Sequence, residues 1–264
     1  MKTAAGSTLF VLFSGGPGMS RFTKQFAVAV LLGCFLIACT SFLFGAYSRQ
    51  ITFSGYVWSV KTSRGKVGPG PNYFSDSTQS VWVDTLGRLH MKIRKTKGKW
   101  YCSEIVSLNN FGYGTYRFYI DTPVDNLNPY VVLGLFTWSD NPAYNNREID
   151  IEFSRWGSAN NQNAQYVVQP YTLPQNIQRF QWPAGISLSM HSFDWRNSQV
   201  YCRSQRGQTI PPTAGDILQQ KTFSSGIPIP GDENARINLW LSRGHAPSDG
   251  REVELVFSKF EFVQ

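Results

Sequence analysis

The sequence predicts an all-β domain, a sandwich or jelly roll of antiparallel sheets, preceded by an apolar export segment. Three observations carry this. Of the 264 residues 15% are aromatic and only 16% charged, against the roughly 25% charge of an ordinary soluble domain. Intrinsic disorder, coiled coil and collagen-like repeats are excluded by that mixture, which leaves aromatic surface over for a ligand. Short alternating segments broken by Gly, Asn, Asp and Pro recur from residue 51 onward. Finally, no stretch past Gln50 holds the roughly 3.6-residue apolar period of a helix for three turns. Without helical crossovers a parallel α/β sheet cannot be connected.

Residues 1–50 read as an N-terminal extension. From Phe26 to Ala46 the chain is uncharged and mostly apolar, with Arg21 and Lys24 just before it, the layout of a secretory signal or a membrane anchor. Met19 is an alternative start. Leu36-Ile37-Ala38-Cys39 resembles a bacterial lipobox, in which Cys39 would be lipidated and become the mature N-terminus. About a dozen apolar residues separate Lys24 from Cys39, the size of a signal core. The apolar run continues through Phe42-Leu43-Phe44, and a stretch of roughly twenty such residues also spans a bilayer as an uncleaved anchor. Lipoprotein, uncleaved anchor and cleaved signal all imply export, with the protein either attached to a membrane or released.

Residues 51–264 read as one domain, with no internal repeat and no linker. Of the +8 formal charge, Lys2, Arg21, Lys24 and Arg49 fall in the first fifty residues without an acid, which leaves 21 basic against 17 acidic residues beyond. With no Lys/Arg stripe, nucleic acid is not an expected partner, and a monomer is expected. Cys102 and Cys202 form one disulfide in an oxidising compartment or stand as two buried thiols in different strands. Only His90, His191 and His245 are present and no Cys-x-x-Cys occurs, so a structural zinc site is not expected, and the chain is read as needing no cofactor. Strands are predicted over Arg88–Arg94, Thr115–Ile120 and Val253–Phe262, each alternating polar with apolar residues.

The segment Arg147-Glu148-Ile149-Asp150-Ile151-Glu152-Phe153 carries the chemistry. On a strand Glu148, Asp150 and Glu152 share one face, while Ile149, Ile151 and Phe153 face a core. The carboxylates then stand about 6.8 Å apart along the strand. Three like charges in a row are costly, and an ordinary solvated face would intersperse Lys or Arg. Retaining glycoside hydrolysis needs two carboxyl groups about 5–5.5 Å apart, one as nucleophile and one as acid/base. Two Glu side chains leaning together on a curved strand approach that gap, and the charge of Asp150 raises the proton affinity of a neighbour.

Here the chain resembles glycoside hydrolase family 16, the β-jelly-roll (concanavalin A-like) enzymes that include lichenases, laminarinases and xyloglucan transglycosylases. Glu148-Ile149-Asp150-Ile151-Glu152-Phe153 matches the catalytic strand in its bulge-free form. Phe111–Tyr116, Leu135–Trp138, Ser192–Trp195 and Asn238–Trp240 resemble further strands of the family in the same order, so the resemblance covers nearly all of residues 53–262. It implies Glu148 as nucleophile, Glu152 as general acid/base and Asp150 as the assisting carboxylate, acting on a β-glucan-type polysaccharide. It also implies sugar contacts at Glu104, Phe136, Trp138, Asn238 and Trp240, with Gln169 opposite the catalytic strand. Trp156 continues the parity of Glu152, and Asn72 sits in a Gly/Pro loop that resembles one lining the cleft. Transglycosylation would use the same residues, whereas a carbohydrate-binding jelly roll without catalysis would be expected to carry a broken carboxylate set. Arg147 departs from the acid that related bulge-free enzymes often carry there.

The lipobox reading has a direct test. Labelled palmitate is expected to enter the wild-type protein in a bacterial host and to be lost in Cys39→Ala. An unlabelled wild-type protein would leave the uncleaved helix or the cleaved signal.

Overall fold

The computed structural model describes residues 46–264. The apolar segment and Cys39 lie outside the described residues, among which no helix is long and apolar enough to cross a membrane. The chain forms strands β1 (Ala46–Phe53), β2 (Tyr56–Thr62), β3 (Tyr73–Phe74), β4 (Val81–Val83), β5 (Leu89–Thr96), β6 (Lys99–Ser107), β7 (Gly114–Ile120) and β8 (Val131–Trp138). It continues with β9 (Ile149–Phe153), β10 (Ala164–Val168), β11 (Ile177–Phe180), β12 (Ser189–Trp195), β13 (Val200–Arg206), β14 (Ile217–Phe223), β15 (Asn234–Leu241) and β16 (Val253–Val263). β1 begins before the expected domain start at residue 51.

The strands belong to one hydrogen-bonded network folded into two layers. One layer runs β1-β2-β6-β15-β8-β9-β10-β11, with every pairing antiparallel. The other runs β4-β5-β16-β7-β12-β13-β14, again antiparallel. The β5–β6 hairpin carries the chain from one layer into the other, pairing Arg94–Thr96 with Lys99–Tyr101. Short β3 runs parallel to β6.

Alternation explains why these segments are strands. On β5, Leu89, Met91 and Ile93 are fully buried while His90, Lys92 and Arg94 are not. On β9, Ile149, Ile151 and Phe153 are fully buried. The two inner faces meet across the core: the Trp58 ring lies 5.1 Å from that of Phe260, edge to face, and Phe153 lies 4.7 Å from His191. The Tyr166 hydroxyl donates across the layers to Ser204 Oγ at 2.7 Å. Each large apolar side chain buried this way contributes roughly 1.5–3 kcal/mol. His191, between the hydroxyls of Ser204 and Ser189, is pushed down to about 3 by burial and is neutral beneath the carboxylate strand.

Two sequence expectations are revised or decided here. The strand expected from Arg147 starts only at Ile149, because Tyr144, Asn145, Asn146 and Arg147 all have positive φ, between 52° and 62°. Cys102 on β6 and Cys202 on β13 are free and buried in different layers, so of the two readings the separate thiols hold. Burial raises both thiols well above their usual range.

Candidate active site

The cleft floor follows from strand register. Glu152 on β9 lies opposite Gly134 on β8, Gly134 opposite Asn238 on β15, and Asn238 opposite Glu104 on β6. One row along, Asp150 lies opposite Phe136, and Phe136 opposite Arg236. Because side chains alternate, the even-numbered residues of β8, β9 and β15 all rise on the face away from the core. They floor a cleft of about 540 Å³ whose walls include Glu148, Asp150, Glu152, Trp138, Trp240, Lys61 and Pro69. Gly134 has to be small: a Cβ there would come within 2.5 Å of Asn238 Oδ1.

The three carboxyl groups cannot all be charged. Burial raises each of them, to about 8 at Glu148 and about 7 at Glu152, with Asp150 well above its ordinary value. The second cause at Glu148 and at Asp150 is the negative charge of their neighbours on the strand. The Asp150 carboxyl beside Glu148 favours the charged form of Glu148, and Glu148 in turn raises Asp150. Arg236 also favours the charged form of Glu148. On the other side, Gln165 Nε2 donates to Glu152 Oε2 at 2.6 Å. The groups titrate as a set. Glu148 is raised further than Glu152, and the Glu152 charge is one of the causes, so the protonation of either group sets that of the other.

Of the residues singled out in the sequence, Glu104, Phe136, Trp138, Glu148, Asp150, Glu152, Asn238 and Trp240 line this one cleft. Gln169 stands beside it: its backbone N–H donates to Glu148 O at 3.1 Å and its Nε2 to Asp150 Oδ2 at 3.3 Å. Trp156 does not follow the parity expected of it, because β9 stops at Phe153 and Trp156 sits in a turn with φ +52°. Its ring nonetheless meets Trp240 edge-on at 6.0 Å. Asn72 is not on the cleft wall. It is buried, and its Nδ2 donates to Pro69 O and Leu241 O, both at 2.8 Å. That amide ties the loop to the end of β15, while Gly68 and Pro69 of the same loop face the cleft.

Lys61, Arg236, Asp140 and Gln165 were missed. Lys61 Nζ donates to Glu104 Oε2 at 2.9 Å, and Arg236 approaches Glu104 Oε1 at 3.4 Å and Asp140 at 3.7 Å. Glu104 is thus a buried anion held by two cations. Arg236 shares the parity of Asn238 and Trp240, a signal present in the sequence; Lys61 and Gln165 depend on strand register, which is not. Asn238 Oδ1 and Arg236 Nε are buried without a protein partner, and such atoms call for a hydrogen-bonding ligand. Among the described residues no cluster of three or more His, Cys, Asp or Glu is arranged to hold a metal ion.

Comparison with solved structures finds the same two-layer β-sandwich fold in proteins described as β-glucanases. A β-glucanase of Bacillus licheniformis superposes with a TM-score of 0.57 at 18% identity, over 83% of this chain and 98% of its own. A β-1,3-glucanase from Mycobacterium marinum gives 0.60 at 16% identity, over 83% and 99%. An immunostimulatory antigen and pseudo β-1,3-glucanase of Mycobacterium tuberculosis gives 0.57 at 18%, over 78% and 91%. At these identities the likeness is one of fold. No protein-family model and no curated protein sequence matches the chain.

The carboxylate set leaves a signature in stability. A carboxyl whose pKa is raised by folding binds its proton more tightly in the folded chain, so its contribution is fully present below the ordinary value of 4.5 and is lost as pH rises toward about 8. Glu148→Gln, which removes one charge, is expected to raise Tm at pH 8 and to change it little at pH 4.5. A lower Tm at pH 8 would contradict the electrostatics described.

Proposed function

We propose that the protein is an exported, retaining, endo-acting glycoside hydrolase of the family 16 type that cleaves β-glycosidic bonds in a β-glucan. The observation that carries this is the meeting of Glu148, Asp150 and Glu152 on the floor of a cleft walled by Phe136, Trp138 and Trp240. Flat aromatic rings suit the apolar faces of sugar rings, while Asn238, Arg236 and Glu104 suit their hydroxyls.

In this reading a glucan chain lies along the cleft with a glycosidic bond over β9. Glu148 attacks the anomeric carbon in its carboxylate form, the form that Asp150 and Arg236 favour. Glu152 gives its proton to the leaving oxygen, and the C–O bond to the leaving sugar breaks as the bond to Glu148 forms. Glu152, now a carboxylate facing Gln165 Nε2, takes a proton from water, whose oxygen displaces Glu148. The product keeps its β configuration and both carboxyls return to their starting states. A second sugar in place of that water would make the protein a transglycosylase. We also propose attachment outside the cytoplasm through lipidated Cys39 or the apolar segment around it. One observation favours a second reading, a non-catalytic glucan-binding protein: the similar fold of a pseudo β-1,3-glucanase.

Azide separates these readings and orders the roles. Glu148→Ala and Glu152→Ala are each expected to lose nearly all activity on soluble β-glucans. With an activated β-glycoside and azide, Glu148→Ala should yield the inverted α-glycosyl azide. Glu152→Ala still forms the covalent intermediate and should yield the β-glycosyl azide. Exchanged products would swap nucleophile and acid, and a wild-type protein that binds β-glucan without cleaving it would leave the binding protein.

A further inference from the structure

We infer that Arg147 is a positioning residue, whose guanidinium clasps a left-handed turn and thereby sets Glu148 in the cleft. As a step in catalysis this rests on the function proposed above. Tyr144, Asn145, Asn146 and Arg147 are four consecutive non-glycine residues with φ of 54°, 53°, 62° and 52°. Asn145 and Asn146 tolerate that region, but Tyr144 and Arg147 disfavour it, and a run of four persists only where the surroundings hold it. The run ends one residue before Glu148.

What holds it converges on Arg147. Its Nε donates to Ile229 O at 2.9 Å, its Nη1 lies 3.5 Å from Asp232 Oδ1, and Glu233 Oε2 stands 3.9 Å from Nε. Gly231 makes room for this, since a Cβ there would come within 2.7 Å of Arg147 Nε. Buried Glu233 accepts from Gly231 N at 2.7 Å, which fixes the receiving loop. The opposite side of the guanidinium faces the Tyr144 ring at 5.4 Å.

The backbone transmits the hold to Glu148. Thr137 Oγ1 donates to Arg147 O at 2.8 Å and accepts from Ile149 N at 3.3 Å, so one hydroxyl brackets Glu148 on both sides. The residue before Arg147 is tied to Ser139, whose N–H donates to Asn146 O at 2.7 Å. Ser139 Oγ reaches Asp232 Oδ1 at 2.5 Å, the same carboxylate that Arg147 approaches. Arg147 itself lies outside the cleft wall. It meets no substrate and acts only through the turn.

Two variants disturb the clasp differently. Arg147→Lys keeps the charge and loses the planar fork; Gly231→Ala keeps Arg147 and displaces its guanidinium. On a soluble mixed-linkage or β-1,3-glucan, both should lower kcat about tenfold to a hundredfold while KM stays within about twofold, as expected of a misplaced reacting group. A second readout needs no turnover: the Tm gain of Glu148→Gln at pH 8 should be smaller in both variant backgrounds than in the wild type, because Glu148 is no longer pressed against Asp150. Wild-type turnover with unchanged kcat in both variants would overturn the inference. So would an equal Glu148→Gln gain in all three backgrounds. If the wild type cleaves no glucan, the proposed function fails and the thermal cycle alone decides the clasp.

Discussion

Three carboxyl groups gathered on one face, two on the short strand β9 and one on the residue just before it, are the constraint on which the rest of this structure depends. Their mutual repulsion would disfavour β9 at neutral pH unless protons are shared and the opposite face is firmly held. Ile149, Ile151 and Phe153 supply that hold, buried against the second layer, with neutral His191 beneath Phe153. The groups set directly beside the acids on β10 and after it are amides, Gln165 and Gln169. Amides satisfy a carboxyl in either protonation state without forcing it to ionise.

The outer face of the other layer shows what full pairing does. There Glu261 is pushed down to about 2, first by its hydrogen bond to Lys259 and then, against a desolvation cost, by Arg117 and Tyr119. Such a carboxylate is a fixed charge across the physiological range. At the cleft the cations form ion pairs with other acids, Lys61 with Glu104 and Arg236 with Glu104 and Asp140, while the charges of Arg236 and Arg179 only partly offset the raising of Glu148 and Glu152. The carboxylate set is left free to exchange protons at neutral pH, the property that acid/base work requires.

Much of this was readable from alternation. The parities of Glu148/Asp150/Glu152 and of Asn238/Trp240 put each set on one face, and register then brought the faces together. What alternation could not supply were facts of register and of turns. Lys61 reaches the cleft only because β2 pairs with β6, and Gln165 meets Glu152 only because β10 pairs with β9 in that register. Trp156 comes to Trp240 through a turn and not through strand parity, because β9 ends at Phe153. Asn72 shows the limit of reading a loop by its composition: its amide is consumed by two carbonyls of its own surroundings. Of the four left-handed residues before Glu148 only Asn145 and Asn146 are of a type that tolerates this region, and Tyr144 and Arg147 carry no such signal.

The most direct measurement is a carboxyl titration by NMR of the domain with 13C-labelled Asp and Glu side chains, the three resonances assigned through Gln and Asn variants. Shared protonation predicts that Glu148, Asp150 and Glu152 titrate as a linked set, with at least one proton retained above pH 6.5, and that Glu148→Gln lowers the midpoint of Asp150. Three independent titrations at or below the ordinary value of 4.5 would contradict it.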